Sequence, residues 1–116
     1  MELETVQTRG VTVVVPKGDL DASAAEQIKR RLTDLILADC IEKGHSKVVV
    51  DLGAVPFIDS SGLGVLIAAM KQARTTGGDL KLCALQDDVW SVLEMTGLTN
   101  HIAVYEDRQE ALSSWG

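Results

Sequence analysis

The chain has 116 residues, 46% of them apolar, which is enough to build one core without disulfides or a structural metal. It carries 11 Lys and Arg against 17 Asp and Glu, a net charge of -6, and that balance repels a phosphate backbone or an anionic membrane surface, arguing against nucleic-acid and membrane partners. The acidic start, Met1 to Thr5, lacks the basic region and apolar run of a signal peptide, and no apolar stretch approaches the roughly 18 residues of a membrane span, so a soluble, unexported chain is expected.

Two β-rich pieces flank a turn signal at Gly10 between Val6 and Val15; the second, Val11-Thr12-Val13-Val14-Val15, reads as a buried strand after a short edge hairpin. Pro16-Lys17-Gly18 is expected to end it. Asp21 stands where a helix cap belongs, and Ala25, Ile28, Leu32, Leu35 and Ile36 recur at helical spacing, predicting a long amphipathic helix that ends near Gly44. Lys47 to Leu52 is a near-continuous β-branched run, the mark of a central strand. Phe57-Ile58 is a brief extended piece, and a second helix opens at Ser60-Ser61 with Leu63, Leu66, Ile67 and Met70 as its core stripe.

Thr75-Thr76-Gly77-Gly78 closes that helix, and Leu80 to Leu85 alternates as a strand. Asp87-Asp88 is expected to cap a short helix through Met95, stopped by Gly97. His101 to Tyr105 reads as a last strand, and Asp107 as the start of a terminal helix carrying Ala111 and Leu112. The order β β α β α β α β α, within one domain spanning 1–116, predicts an α/β fold with a mostly parallel sheet of four to five strands, about four helices and an N-terminal hairpin. In such sheets functional groups gather where strands end and helices begin. Asp21, Asp59 and Ser60 all fall at such junctions.

A helix N-terminus offers unpaired amides and a partial positive charge, so a phosphate carried on Ser60 would be held by the protein's own backbone. With Ser60 at the helix start, Gly64 and Ala68 follow at steps of four and leave a strip of small side chains that a large partner can approach closely. Glycine inside a helix costs roughly 0.8–1 kcal/mol relative to alanine; close packing inside or close approach from outside must compensate. Read locally, Ser60 is equally an ordinary N-cap, and Asp21 and Asp59 are well explained as caps.

Val49-Val50-Asp51-Leu52 followed by Phe57-Ile58-Asp59-Ser60-Ser61-Gly62-Leu63-Gly64-Val65-Leu66 resembles the signature of the STAS domains, and within them the bacterial anti-sigma factor antagonists. Gly18-Asp19-Leu20-Asp21, Gly77-Gly78 and Met95-Thr96-Gly97-Leu98 extend the resemblance over nearly the whole chain. It implies a STAS fold and a partner switch. The unphosphorylated domain would bind an anti-sigma factor that is also a serine kinase, freeing the sigma factor; phosphorylation of Ser60 would release the domain, and a PP2C-type phosphatase would restore it. Asp21, Asp59, Ser60, Ser61, Gly64 and Ala68 are the partner-facing positions so implied, on a domain monomeric when free. The stretch from Leu35 to Ser46 is a few residues longer than in compact members.

A STAS module wired to a non-sigma output, such as a stressosome-like assembly, is the alternative within binding proteins. An enzyme built on Ser60 and the acidic residues is the alternative outside them, but Asp59 to Leu63 does not make the G-x-S-x-G of a hydrolase elbow, and Gly62-Leu63-Gly64 lacks the rest of a phosphate loop. Cys40 and Cys83 show neither CxxC nor Cys/His spacing, which predicts reduced, buried thiols and a cytoplasmic setting. His45 and His101 read as solvent-exposed, so neither a metal nor another cofactor is expected. Trp90 and Trp115 are expected to pack, with Trp115 partly exposed.

Overall fold

The computed structural model describes residues 1–115. Strand β1 (Glu2–Thr8) turns through Arg9 and Gly10, both at positive φ, into β2 (Val11–Lys17). There follow α1 (Ala22–Lys43), β3 (Lys47–Asp51), α2 (Ser60–Thr75), β4 (Asp79–Cys83), α3 (Asp87–Met95), a 3-10 turn (Leu98–Asn100), β5 (Val104–Tyr105) and α4 (Arg108–Ser113). The five strands lie in sequence order in one sheet. β1 pairs antiparallel with β2, and every later pairing is parallel, as helical crossovers require.

Strand alternation divides the valines between two layers. Val14, Val48 and Val50, with Leu80 and Leu82, meet Ile28, Leu32 and Ile36 of α1, Leu66 and Met70 of α2 and Leu93 of α3 in the larger core. On the opposite face Val11, Val13, Val15, Val49 and Cys83 are covered by Ala111 and Leu112 of α4. An ion pair holds that short helix down: both Arg108 Nε (3.1 Å) and Nη2 (3.0 Å) reach Asp51 Oδ2 at the end of β3.

The pole where the parallel strands begin is latched by a buried carboxylate. Asp39, on α1, accepts hydrogen bonds from the hydroxyls of Thr12 (2.8 Å) and Ser46 (3.0 Å) and pairs with Lys43 at 3.4 Å. Thr12 and Ser46 are themselves fully buried, so each donor needs the partner it has. This network joins the end of α1 to the starts of β2 and β3.

Several boundaries differ from expectation. Pro16 does not end β2; it pairs with Leu3 of β1, and because β3 pairs only with Thr12 to Val14, one side of the strand is already free where the amide is missing. β4 stops at Cys83 because Ala84 takes a positive φ of 60°. His101 to Ala103 are not strand. The amides of His101 and Ile102 both donate to the Leu98 carbonyl, so the apolar Ile102 is buried beneath a turn. The α3 cap is Gln86, whose side-chain amide donates to Gly53 O instead of capping, while Asp87 and Asp88 occupy the first turn. Cys40 is half-buried, not buried, and Trp90 is 39% exposed, because α1 and α3 turn more surface outward than their apolar content suggests; His45, expected to be exposed, is instead half-buried in the turn between α1 and β3. The extra length before Ser46 lengthens α1 itself, which ends at Gly44 in a left-handed conformation. Among the described residues no helix is long and apolar enough to cross a membrane.

Candidate functional site

The loops that precede α1 and α2 meet in an isolated parallel bridge between Leu20 and Ile58. Leu20 N–H donates to the Phe57 carbonyl (2.9 Å) and Asp59 N–H to the Leu20 carbonyl (3.3 Å). Leu20 and Ile58 are buried, which leaves Asp19, Asp21, Phe57 and Asp59 toward the surface by alternation. Two helix N-termini are thereby set side by side at the carboxyl end of the sheet.

Asp21 caps α1, accepting from Ser23 N (3.1 Å), Ser23 Oγ (2.7 Å) and Ala24 N (3.2 Å). The Ser23 hydroxyl, followed by these backbone amides, holds its carboxyl below the ordinary 3.8. Asp59 caps α2 through Oδ1, which accepts from Gly62 N (3.1 Å), while its Oδ2 accepts from Ala22 N in the first turn of α1 (3.1 Å). One carboxylate therefore fastens both helix starts.

With Asp59 as the cap, Ser60 is released from that duty. It is the first residue of α2 and exposed, and its hydroxyl has no hydrogen-bond partner among the described residues. The ordinary-cap reading of Ser60 is thus replaced by a free hydroxyl over a helix N-terminus. Ser61, Gly64 and Ala68 are exposed along the same helix. Together with Ala25, Glu26, Lys29 and Val65 they line a shallow groove of about 340 Å³ between α1 and α2.

The two glycines of the motif differ in kind. A Cβ on Gly62 would stand 2.2 Å from the Leu20 carbonyl oxygen and 2.8 Å from Ile58 Cγ1, so this position has to be glycine for α2 to approach the bridge. A Cβ on Gly64 would meet nothing within 4 Å. No internal packing compensates the cost of glycine there. Sequence reasoning named Gly62 only as part of a motif, and it missed Phe57, a 51% exposed aromatic beside the site; a large apolar residue next to a buried bridge residue in an alternating segment was the available signal.

The remaining chemistry-bearing residues stay apart. His101 lies in the turn after α3, exposed, and Cys83 lies under α4. Among the described residues no group of three or more His, Cys, Asp or Glu is placed to hold a metal ion.

Residues 2–111 match the STAS domain family. The chain is 30% identical to an anti-sigma-B factor antagonist of Listeria monocytogenes over 90% of its own length and 86% of the relative's. It is 28% identical to an anti-sigma F factor antagonist of Paenibacillus polymyxa over 97% and 93%. The crystal structure of an anti-sigma factor antagonist from Mycobacterium paratuberculosis superposes with a TM-score of 0.85, covering 97% of this chain and 92% of that one at 23% identity, a likeness of fold.

Proposed function

The chain belongs to the STAS domain family, and from that membership we propose that it is an anti-sigma factor antagonist whose unphosphorylated form binds an anti-sigma factor serine kinase and so releases a sigma factor. Phosphorylation of Ser60 switches binding off, and a PP2C-type phosphatase resets it. Residues 1–116 act as one domain in this scheme, without catalysis of their own and in the cytoplasm. Asp21, Asp59, Ser60, Ser61, Gly64 and Ala68 form the partner surface.

The observation that carries this reading is the division of labour between Asp59 and Ser60: the aspartate caps α2, and the serine hydroxyl beside it is exposed and uncommitted. A phosphoryl group there adds about -1.5 to -2 charge. The first-turn amides and the helix dipole tolerate it in the free domain, whereas in a close interface it meets both bulk and desolvation. Releasing a partner from mostly bound to mostly free takes about 5.5 kcal/mol of differential affinity, within reach of a buried charge mismatch added to a steric clash.

Incubation with candidate anti-sigma kinases from the source genome and ATP, read by mass spectrometry and pull-down, tests it. Phosphate is expected at Ser60 and is absent from Ser60→Ala; Ser60→Asp is expected to lose the kinase. Phosphate only at another residue, or full binding by Ser60→Asp, would overturn the reading.

A further inference from the structure

A second cavity, of about 410 Å³, lies at the same end of the sheet and is lined by Leu85, Asp87, Trp90, Val104, Tyr105 and Glu106. It is bounded by the first two turns of α3 and by β5, the edge strand whose outer side has no neighbour in the sheet among the described residues. Its volume falls in the range of small-ligand sites. Its lining joins the Trp90 ring to the Asp87 and Glu106 carboxylates, while the ring of Tyr105 packs on the opposite face of β5, against the α4 layer.

Trp90 and the two carboxylates are without a cationic partner among the described residues. Among the described residues neither Asp87 nor Glu106 forms an ion pair with a Lys or Arg. No cation sits over the Trp90 ring, which is 39% exposed. The neighbouring aromatics show the contrast: Lys81 Nζ stands 4.0 Å from the Trp115 ring centroid and 5.7 Å from that of Tyr105, and donates to Ser114 Oγ at 2.7 Å. Asp87 is favourably placed by the α3 dipole, but Asp88 beside it satisfies the same rule from outside the cavity.

We propose that this cavity is a docking site for an arginine side chain presented by a partner protein, with the guanidinium stacked on Trp90 and paired with Asp87 and Glu106. A guanidinium is planar, weakly hydrated and always charged, so it can use an aromatic face and carboxylates at once, whereas an ammonium is a compact, strongly hydrated charge. An anionic or neutral ligand would leave both carboxylates unanswered. The chain's net charge of -6 adds long-range attraction for a basic partner segment. This site stands apart from Ser60 and does not rest on the proposed switch.

The test is an NMR titration of the full chain with N-acetyl-arginine methylamide, followed at the Trp90 indole N–H. Saturable shifts confined to α3 and β5 are expected, with no saturation by the neutral isostere N-acetyl-citrulline methylamide. Asp87→Asn/Glu106→Gln should weaken the arginine affinity about fivefold while leaving the remaining amide spectrum unchanged. If that double variant fails to fold, Glu106→Gln alone serves, with an expected loss of about twofold. Equal binding of the citrulline derivative, tighter binding of the lysine derivative or of free L-arginine, no saturation, or unchanged affinity in the folded carboxamide variants would each overturn the proposal.

Discussion

Two glycines two residues apart carry opposite obligations. Gly62→Ala places a methyl 2.2 Å from the Leu20 carbonyl, and the backbone shift this forces should cost about 2–3 kcal/mol, read as a lower urea midpoint with an unchanged slope. Gly64→Ala meets open space and should raise stability by about 0.5–1 kcal/mol; under the proposed switch it should also weaken partner capture in the pull-down. Both residues were legible as glycines of a motif; their difference was not, because it depends on where the Leu20 loop passes, a contact between positions far apart in sequence. The cysteines divide similarly. Burial, with Asp51 nearby, pushes the Cys83 thiol up to about 12, whereas Cys40 is half-buried. Under native conditions iodoacetamide should therefore label Cys40 well before Cys83, as peptide mapping would show.

At the scale of elements, the helix starts were readable because capping is local chemistry: Asp21 and Asp59 stand where extended chain becomes helix. What could not be read was that Asp59 serves two helices, since Ala22 lies 37 positions away. Asp59→Ala should cost about 1–2 kcal/mol, at the upper end for a single cap, because Gly62 and Ala22 both lose an acceptor; chemical denaturation measures it. Asp21 supplies a pH dependence. Its folded carboxyl lies below the ordinary 3.8, so its contribution is fully present above pH 3.8 and is lost as the pH falls through the depressed folded value. Thermal midpoints taken downward past that pH should fall less steeply in Asp21→Asn, which keeps an acceptor for the cap but has no charge to titrate. The last strand shows the opposite case: an apolar run from Ile102 to Tyr105 suits strand or packed turn alike, and Gly97 at φ 76° with the 3-10 turn behind it decided for the turn.

Across the whole molecule, the alternation of strands and helices fixed the parallel sheet and its hairpin correctly, because each crossover needs a helix long enough to span the sheet. The buried latch at the other pole escaped notice. Asp39 sits in an amphipathic helix where a charged residue is ordinarily solvated, and only the folded chain brings Thr12 and Ser46 to it. Asp39→Ala should destabilise by about 2–3 kcal/mol, since two buried hydroxyls lose their acceptor, while the partly exposed Lys43 ammonium keeps Gln7 and solvent; calorimetry would register the loss. The pole that carries Ser60 should be unaffected in shape, so under the proposed switch the partner affinity of the folded fraction should stay native.

The bridge between Leu20 and Ile58 has a consequence for how information leaves this domain. Its hydrogen bonds clamp both loops beneath Ser60, and there is no hinge glycine between Ile58 and Ser60 through which a new charge could swing the backbone. Under the proposed switch the phosphate would act like ink on a seal: the engraving stays fixed and only what it prints is altered. Amide exchange at Leu20 and Asp59 should then be equally slow before and after phosphorylation, and a partner would sense altered chemistry on an unaltered relief.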